Sequence, residues 1–582
     1  MPNSPSVKFT IENNNIDLTT PQVGVSMVLA RTEKGPFYDP SKLITSVTQF
    51  VNEFGGEFVP DGSASNIEKA LAVGSKLRVI RIPGTGYYKG ILHPTSASVP
   101  SPSASQSPAA VLSIGTAADS KIQIGFNTKQ YDQKINGADT FTVKWFKSGN
   151  TLQYTIQGKD QDVVLESGAV LTYKAHSASS PVSGTAIDYF QLNTFLRNSD
   201  FLEPVVVGTS TIPGVTSIDG LIKWLATSID GSNTDLTITV GGTAFGSLST
   251  PVVSTAILGS SGGTPTVDQW VAGLEYAKDY IDPYQIFCSH LHQHLTTTAD
   301  QLAVHKAAKE MLDELEEYVY FIEVPKYKSG TTVPQDKDSI KAWIESCVGT
   351  IGNSKWVAYF AGGLKYYNTY GILVDSDCIG SVVGLGDASA AVHGPWRSFA
   401  GMNRGVIYDA HGTVSINYGS PGRYPDLNEL ANSYANMMVV RDTPNSGKQT
   451  MLWHCFTSQV KQDSFKFLSV VKLVLYLKKY LRPILESYIE EPNLWTTWNQ
   501  IYFQVKPELD RLVEASAMSE YTWAGDQFAT SYDDLVINKE ADVRQGHYKV
   551  KLAFKEVVPM QEINITLSID KASNTVSATV DE

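Results

Sequence analysis

From residue 267 to 361 the sequence keeps a rhythm that few folds accommodate: WVAGLEYAKDY, YQIFCSHL, ADQLAVHKAAKEMLDELE, YVYFIEVP, SIKAWIESCVGTI, KWVAYFAG. Long segments with apolar residues at helical spacing alternate with short, continuously apolar runs, and such runs are strands buried on both faces. Strands separated by helices of about ten or more residues need crossover connections, which set them side by side and parallel. The segment predicts an α/β domain with a largely parallel sheet. A second piece of this kind occupies 23–82, in the order strand (VGVSMVLA), turn (EKGPFYDP), helix (SVTQFVNEFGG), helix (SNIEKALAVG) and strand (KLRVIRI).

Between the two pieces the character changes. PTSASVPSPSASQSPA, at 94–109, is almost wholly Ser, Pro and Ala and reads as an extended linker. Alternating strands such as KIQIGF, TFTVKWF, TLQYTIQG, DLTITVGG and PVVSTAIL then define a β-rich insertion at 110–263. The remaining divisions are an arm at 1–21, an α/β piece at 22–93, the α/β domain at 264–464, a helical and stranded unit at 465–560 and a tail at 561–582. In the unit at 465–560, FLSVVKLVLYLKKYLRPIL reads as a helix with Leu468, Val471, Leu475 and Tyr476 on its packed side. Pro507 is expected to break or restart the following helix, and SYDDLVINKE to pair as a strand with HYKVKLAFKEV.

Both ends alternate apolar and polar residues: Val7, Phe9 and Ile11 at the start, Ile563, Ile565, Leu567 and Ile569 at the end. An unpaired strand presents free N–H and C=O groups and adds to a sheet, inside its own subunit as the ordinary arrangement or in a neighbour by donation.

The chain of 582 residues is long enough for three or four domains, and its 42% apolar and 18% charged content is that of a folded chain. A net charge of −13 without a basic cluster argues against nucleic acid as the main partner. The most apolar helix carries Lys472, Lys478, Lys479 and Arg482, too many charges for a membrane span, and the N-terminus shows no secretion signal. Cys288, Cys347, Cys378 and Cys455 form no CxxC pair and suggest a reducing compartment.

The most chemically suggestive stretch is IFCSHLHQHL, at 286–295, where Cys288, His290, His292 and His294 recur at every second position. On one strand such residues stand about 7 Å apart, so a single strand cannot close a tetrahedral site around one ion. The expected arrangement is a core Cys288 at the end of a central strand, with His292 and His294 in a polar loop beyond it. The crevice at that end of a parallel sheet keeps a metal-dependent hydrolase as an alternative reading. NSGKQT (445–450) lacks the GxxxxGK[ST] pattern, GTGYYKG (84–90) is not GxGxxG, and no GxSxG elbow occurs. No residue is assigned to catalysis, metal or cofactor. Lys506, Glu508, Asp510 and Arg511 around Pro507 read as a solvated face.

Several blocks, in order, resemble those of contractile tail sheath proteins, found in myophage tails and related injection machines. GVSMVLARTEKGPFYDPSKLITSVTQFVNEFGG is similar to the family's opening strand, GP turn and helix closing on FGG. The segment 270–325 resembles its strand–helix pattern ending in apolar-E/D-apolar-P. HGPWRSFAGMNRGVI looks like its G-x-W loop, with Phe399 where proline is common, and LNELANSYANMMVVR resembles its L-N segment, with Tyr434 departing from the usual small residue. IEEPNLWTTW is similar to the closing E-P-N helix pair. The resemblance covers 23–82 and about 267–559, and leaves the β-rich insertion unmatched.

The resemblance implies a multi-domain, mixed α/β sheath core built from the N- and C-terminal segments, with an outer β-rich insertion and strand-donating arms. It implies a non-enzymatic homo-polymer of six-fold rings around an inner tail tube protein, with baseplate and neck or tail terminator proteins as further partners. It places the strands of Val7, Phe9 and Ile11 and of Ile563, Ile565, Leu567 and Ile569 in neighbouring subunits. Lys506, Glu508, Asp510 and Arg511 become candidates for facing the tube. The implied location is the tail of a virion assembled in a bacterial cytoplasm, or a related contractile injection system, with no nucleic acid, membrane insertion or cofactor.

Overall fold

A computed structural model describes residues 22–58, 65–94, 108–116, 120–129, 141–149, 151–157, 164–172, 199, 201–207, 236–244, 248–257, 259–367, 371–443, 447–460, 463–560, 566–568 and 577–579. The chain is a multi-domain mixed α/β protein.

Its centre is an eight-stranded sheet built from both halves of the sequence. In chain order the strands are β1 (Val25–Ala30), β2 (Leu43–Ile44), β3 (Lys76–Arg81), β14 (Gln285–Cys288), β15 (Val319–Glu323), β16 (Val357–Ala361), β19 (Ala435–Thr443) and β20 (Gly447–Leu452); β4 to β13 belong to the insertion and β17 and β18 to a small hairpin, both given below. The spatial order is β2-β3-β1-β14-β15-β16-β19-β20, parallel from β3 to β19 and antiparallel at both edges. The central strands are buried throughout, which is why their sequences run VSMVLA and VAYFA without alternation.

Helices cover both faces, as the alternation of contacts along β1 demonstrates. Leu29 touches α3 (Val267–Ala277), where a Cβ on Gly273 would lie 3.1 Å from Leu29 Cδ2 and 2.4 Å from Ile82 Cδ1. Ser26, three residues away and so on the other face, donates a 2.6 Å hydrogen bond to Asp387 of α7 (Ile379–His393). On the first face α3 is followed by α5 (Thr298–Leu315), α6 (Lys337–Ile351) and α8 (Tyr424–Asn432). On the second, α2 (Asn66–Ala72) packs on α7, with α1 (Val47–Phe54) beside α2, while α4 (Leu291–His294) is a single turn after β14.

The insertion forms a ten-stranded antiparallel sheet of β4 (Ile91–Pro94), β5 (Leu112–Thr116), β6 (Ser120–Thr128), β7 (Thr142–Ser148), β8 (Thr151–Gln157), β9 (Val164–Thr172), β10 (Leu202–Val207), β11 (Leu236–Val240), β12 (Thr243–Ala244) and β13 (Val252–Ile257). Its entry and exit run side by side: Gly84 N donates to Ser261 O at 2.7 Å and Gly263 N to Thr85 O at 2.9 Å. A Cβ on Gly84 would stand 1.9 Å from Gly263 O, so only glycine permits the approach. The strand Ile91–Pro94, which precedes the Ser/Pro-rich stretch, already pairs with β13.

After the hairpin β17 (Leu364–Tyr367) and β18 (Leu373–Ser376), the C-terminal unit consists of α9 (Leu468–Glu486), α10 (Trp495–Glu514), β21 (Met518–Ala524), α11 (Glu540–Arg544) and β22 (Lys551–Glu556). Leu468, Val471, Leu475 and Tyr476 are all buried, as expected. Two expectations fail. The helix α10 continues through Pro507, because Pro507 and Phe503, whose carbonyl loses its donor, are both exposed and that carbonyl is not sealed in the core. SYDDLVINKE is not a strand: Tyr532–Asp534 is a 3-10 turn held by Asp534, which accepts from Thr530 and Ser531, and the partner of β22 is β21.

Candidate functional site

The chain passes from β1 to β3 on one side and from β14 to β15 and β16 on the other, so the strand order reverses between β1 and β14. In open parallel sheets the crevice at the carboxyl ends of the strands flanking such a reversal is the usual ligand site. Here it holds the histidine row and is filled by the chain itself. Ser289 follows β14, and His290 adopts a left-handed conformation (φ 50°) that starts α4.

The His290 side chain is wholly buried, with Nδ1 2.7 Å from Asp377 Oδ2 and Nε2 3.9 Å from Glu57 Oε2. His292 Nε2 lies 3.4 Å and Lys326 Nζ 3.1 Å from Asp377 Oδ1. Asn66 donates to Ser289 Oγ at 3.1 Å and accepts from Gly380 N at 3.2 Å, tying the α2 and α7 segments over the strand end.

The charges in this cluster follow from burial and neighbours. Burial opposes protonation of His290, but Asp377 and Glu57 outweigh it and raise its pKa to about 9. Burial favours the neutral acid at Asp377, yet His292, His290 and Lys326 hold it well below the carboxylate range. Glu323, buried and facing the Asp377 charge, is pushed well up. The result is an internal ion cluster closed by Glu57, Asn66 and the segment 376–380.

The other members of the row go elsewhere. Cys288 accepts from Tyr320 Oη at 3.4 Å, and burial raises its thiol to about 12. His294 is not in an open loop: it is 5% exposed, in the one-turn helix, with Phe58 at 6.0 Å and Trp270 at 6.1 Å between ring centroids. Burial lowers it to about 3. His292 also lies in that helix and lines a cavity of about 280 Å³ with Lys326, Lys328, Gln335 and Trp343. The four residues of the row thus fall into three environments: His290 and His292 at Asp377, Cys288 at Tyr320, and His294 between Phe58 and Trp270. Among the described residues no group of three His, Cys, Asp or Glu side chains is placed to hold a metal ion, and no helix is long and apolar enough to cross a membrane.

At the C-terminal unit the expected solvated face is two partnered pairs. Lys506 pairs with Asp510, which also accepts from Tyr521 Oη at 2.7 Å. Glu508 is 6% exposed, accepting from Tyr476 Oη at 2.7 Å and Arg511 Nε at 2.7 Å. Glu508 therefore faces the α9 helix, and only Lys506, Asp510 and Arg511 offer charge to an outside surface.

Beside them β21 and β22 form a two-stranded ribbon whose outer edges pair with nothing among the described residues. Along β22, Leu552 and Phe554 turn inward while Lys551, Ala553 and Lys555 are exposed. Val7, Phe9, Ile11, Ile563, Ile565 and Ile569 lie outside the described residues. Leu567 is in β23 (Thr566–Ser568), which pairs with β24 (Ser577–Thr579) of the same chain.

No family model matches the sequence, and no curated protein matches it. Solved structures that match it include the sheath tail protein of Desulfitobacterium hafniense, 11% identical, covering 95% of this chain and 100% of that one with a TM-score of 0.45. The sheath tail protein of Listeria innocua is 11% identical over 92% of this chain and 95% of that one, with a TM-score of 0.46. The helical sheath of the anti-feeding prophage in its contracted state is 15% identical over 55% of this chain and 78% of that one, with a TM-score of 0.40.

Proposed function

We propose that this chain is a structural, non-enzymatic subunit of a contractile sheath, polymerising as stacked six-fold rings around an inner tube and contracting to drive the tube through a cell envelope. The observation that carries the reading is where the sheath-like sequence blocks fall. The opening block is β1 and α1, the apolar-E/D-apolar-P block is the end of β15, the L-N block is α8 leading into β19, and the E-P-N block joins α9 to α10. Blocks distant in sequence are thus successive parts of one α/β body, interrupted by a single antiparallel lobe.

In this reading the open-edged ribbon of β21 and β22 receives the terminal strands of neighbouring copies, including Val7, Phe9 and Ile11 from one and Ile563, Ile565, Leu567 and Ile569 from another. The lobe at 110–263 lies on the outside, and Lys506, Asp510 and Arg511 meet the tube. The inner tube, baseplate and terminator proteins are partners, and the particle is a phage tail or another contractile injection system. A sheath does its work by passing from a metastable array to one with more subunit contact, so it needs no nucleotide or metal. The alternative of a metal-dependent hydrolase draws little support from a row whose members diverge.

Electron microscopy of the purified chain, alone and with its tube protein, tests the proposal. Hollow tubes of six-fold rings with two helical states are expected. Particles that stay monomeric at every concentration, or tubes with a single state under every treatment, refute it.

A further inference from the structure

Away from the filled crevice, a groove of about 680 Å³ opens between the 411–424 loops and the strands β19 and β20. Its lining is cationic. Arg441 is held with its guanidinium carbon 3.6 Å from the ring centre of Trp453 and 4.6 Å from that of Tyr424, and Nε donates to Gly419 O at 3.2 Å. Neither Arg441 nor the exposed Lys448 has a carboxylate within ion-pair distance among the described residues. Lys365 adds a third positive charge, shared with Asp375 at 3.1 Å, and Asp442 is the one carboxylate of the lining. Ser415, 5% exposed, has a hydroxyl with no hydrogen-bond partner and also lines the groove. Met402 and Tyr424, 39% and 37% exposed, make part of the wall apolar.

A stacked arginine beside an exposed lysine in a cleft is a carboxylate receptor by chemistry. The cleft is far larger than one inorganic anion and partly apolar, dimensions and chemistry that suit a peptide carrying acid and apolar side chains together. The same chain exposes such a segment. At the turn after α9, Ile489 is 66% exposed, Glu490 is exposed in a left-handed conformation (φ 70°), and Glu491 is exposed next to it. Neither glutamate has an ion-pair partner among the described residues. In a chain of net charge −13, copies repel one another unless a cationic patch meets an acidic one.

We propose that the groove of Arg441, Lys448 and Ser415 receives the Ile489–Glu490–Glu491 turn of a second copy. The two surfaces are different, so the contact is head-to-tail and propagates into rings or helices. This rests on the reading of the chain as a polymer and assigns that polymer one of its charged contacts.

The test uses the full-length chain and a synthetic peptide of residues 486–494, ESYIEEPNL, with calorimetry at low and high salt and electron microscopy of assembly. The peptide is expected to bind at low salt and to lose about tenfold in affinity to the Arg441→Glu/Lys448→Glu variant. A peptide with Glu490→Lys/Glu491→Lys should recover binding to that variant. In assembly, either pair of reversals alone should stop growth and the four together restore it. Normal assembly of both variants without peptide binding overturns the groove contact and leaves the sheath reading standing. Peptide binding with the charge-swap pattern in a chain that never polymerises does the reverse. Inorganic phosphate or sulfate binding as tightly as the peptide overturns the contact in favour of a small-anion site.

Discussion

The buried His290 makes the stability of the parallel sheet depend on pH in a direction fixed by its neighbours. Its folded pKa of about 9 lies above the unfolded 6.5. The folded state therefore holds a proton that the unfolded chain releases, and stability falls as pH rises. The contribution is fully present below pH 6.5 and lost by pH 9 and above; the pKa gap corresponds to about 3 kcal/mol. Asp377, Glu57, Glu323, His292 and Lys326 face the imidazole, and Asp377 stays ionised across this window.

The perturbation is His290→Asn, since asparagine tolerates the left-handed backbone there and carries no titrating proton. Urea unfolding is followed by tryptophan fluorescence, using the transition in which the sheet around Trp270 opens. Between pH 6.5 and 9.5 the wild type should lose about 3 kcal/mol more than the variant. Lys479, lowered by burial to about 8, titrates in the same range with the opposite sign, but it does so in both proteins and cancels in the difference. Parallel pH curves for the two proteins would show that His290 carries no charge in the fold, and the account of the crevice as an ion cluster would fail.

Three further outcomes are expected. Deleting 1–15, or 562–582, should leave a soluble folded monomer that no longer polymerises by electron microscopy; normal tubes from either truncation refute strand exchange. Gly380→Ala should cost about 1–3 kcal/mol in thermal or urea unfolding, because its Cβ would stand 2.2 Å from Asn66 O and neither backbone can yield cheaply; an unchanged midpoint would contradict the tight α2–α7 packing. The free cysteines Cys288, Cys347, Cys378 and Cys455 are buried, with burial raising every thiol pKa, so a thiol reagent at pH 8 should label them only after denaturation. Rapid labelling of native protein would be the contrary result.

The parallel sheet was legible because its information is local: each helix and strand from 267 to 361 announces itself by period and length, and the structure places all of them. Strand order is not local. Nothing in VSMVLA or QIFC indicates that β1 and β14, with the whole insertion between them, lie side by side. The same limit governed the histidine row. Geometry excluded a one-strand zinc site, yet the partner that captures His290, Asp377, is far along the chain and arrives through folding. Glu508 looked solvent-facing because Lys506, Asp510 and Arg511 surround it, while the Tyr476 hydroxyl that helps bury it comes from another helix. SYDDLVINKE was misread because its apolar residues alternate briefly, and the side-chain bonds of Asp534 and Asp526 decide its turns instead.

The side-by-side backbones at Gly84 and Gly263 also set how the molecule tolerates change. Because the insertion leaves and returns through one point, the entropy of closing it grows only slowly with its length, by about 0.6 kcal/mol for each doubling. The central sheet does not feel how large the lobe is. A foreign domain with neighbouring termini, spliced between those glycines, should fold as a passenger and leave the strands beneath in place.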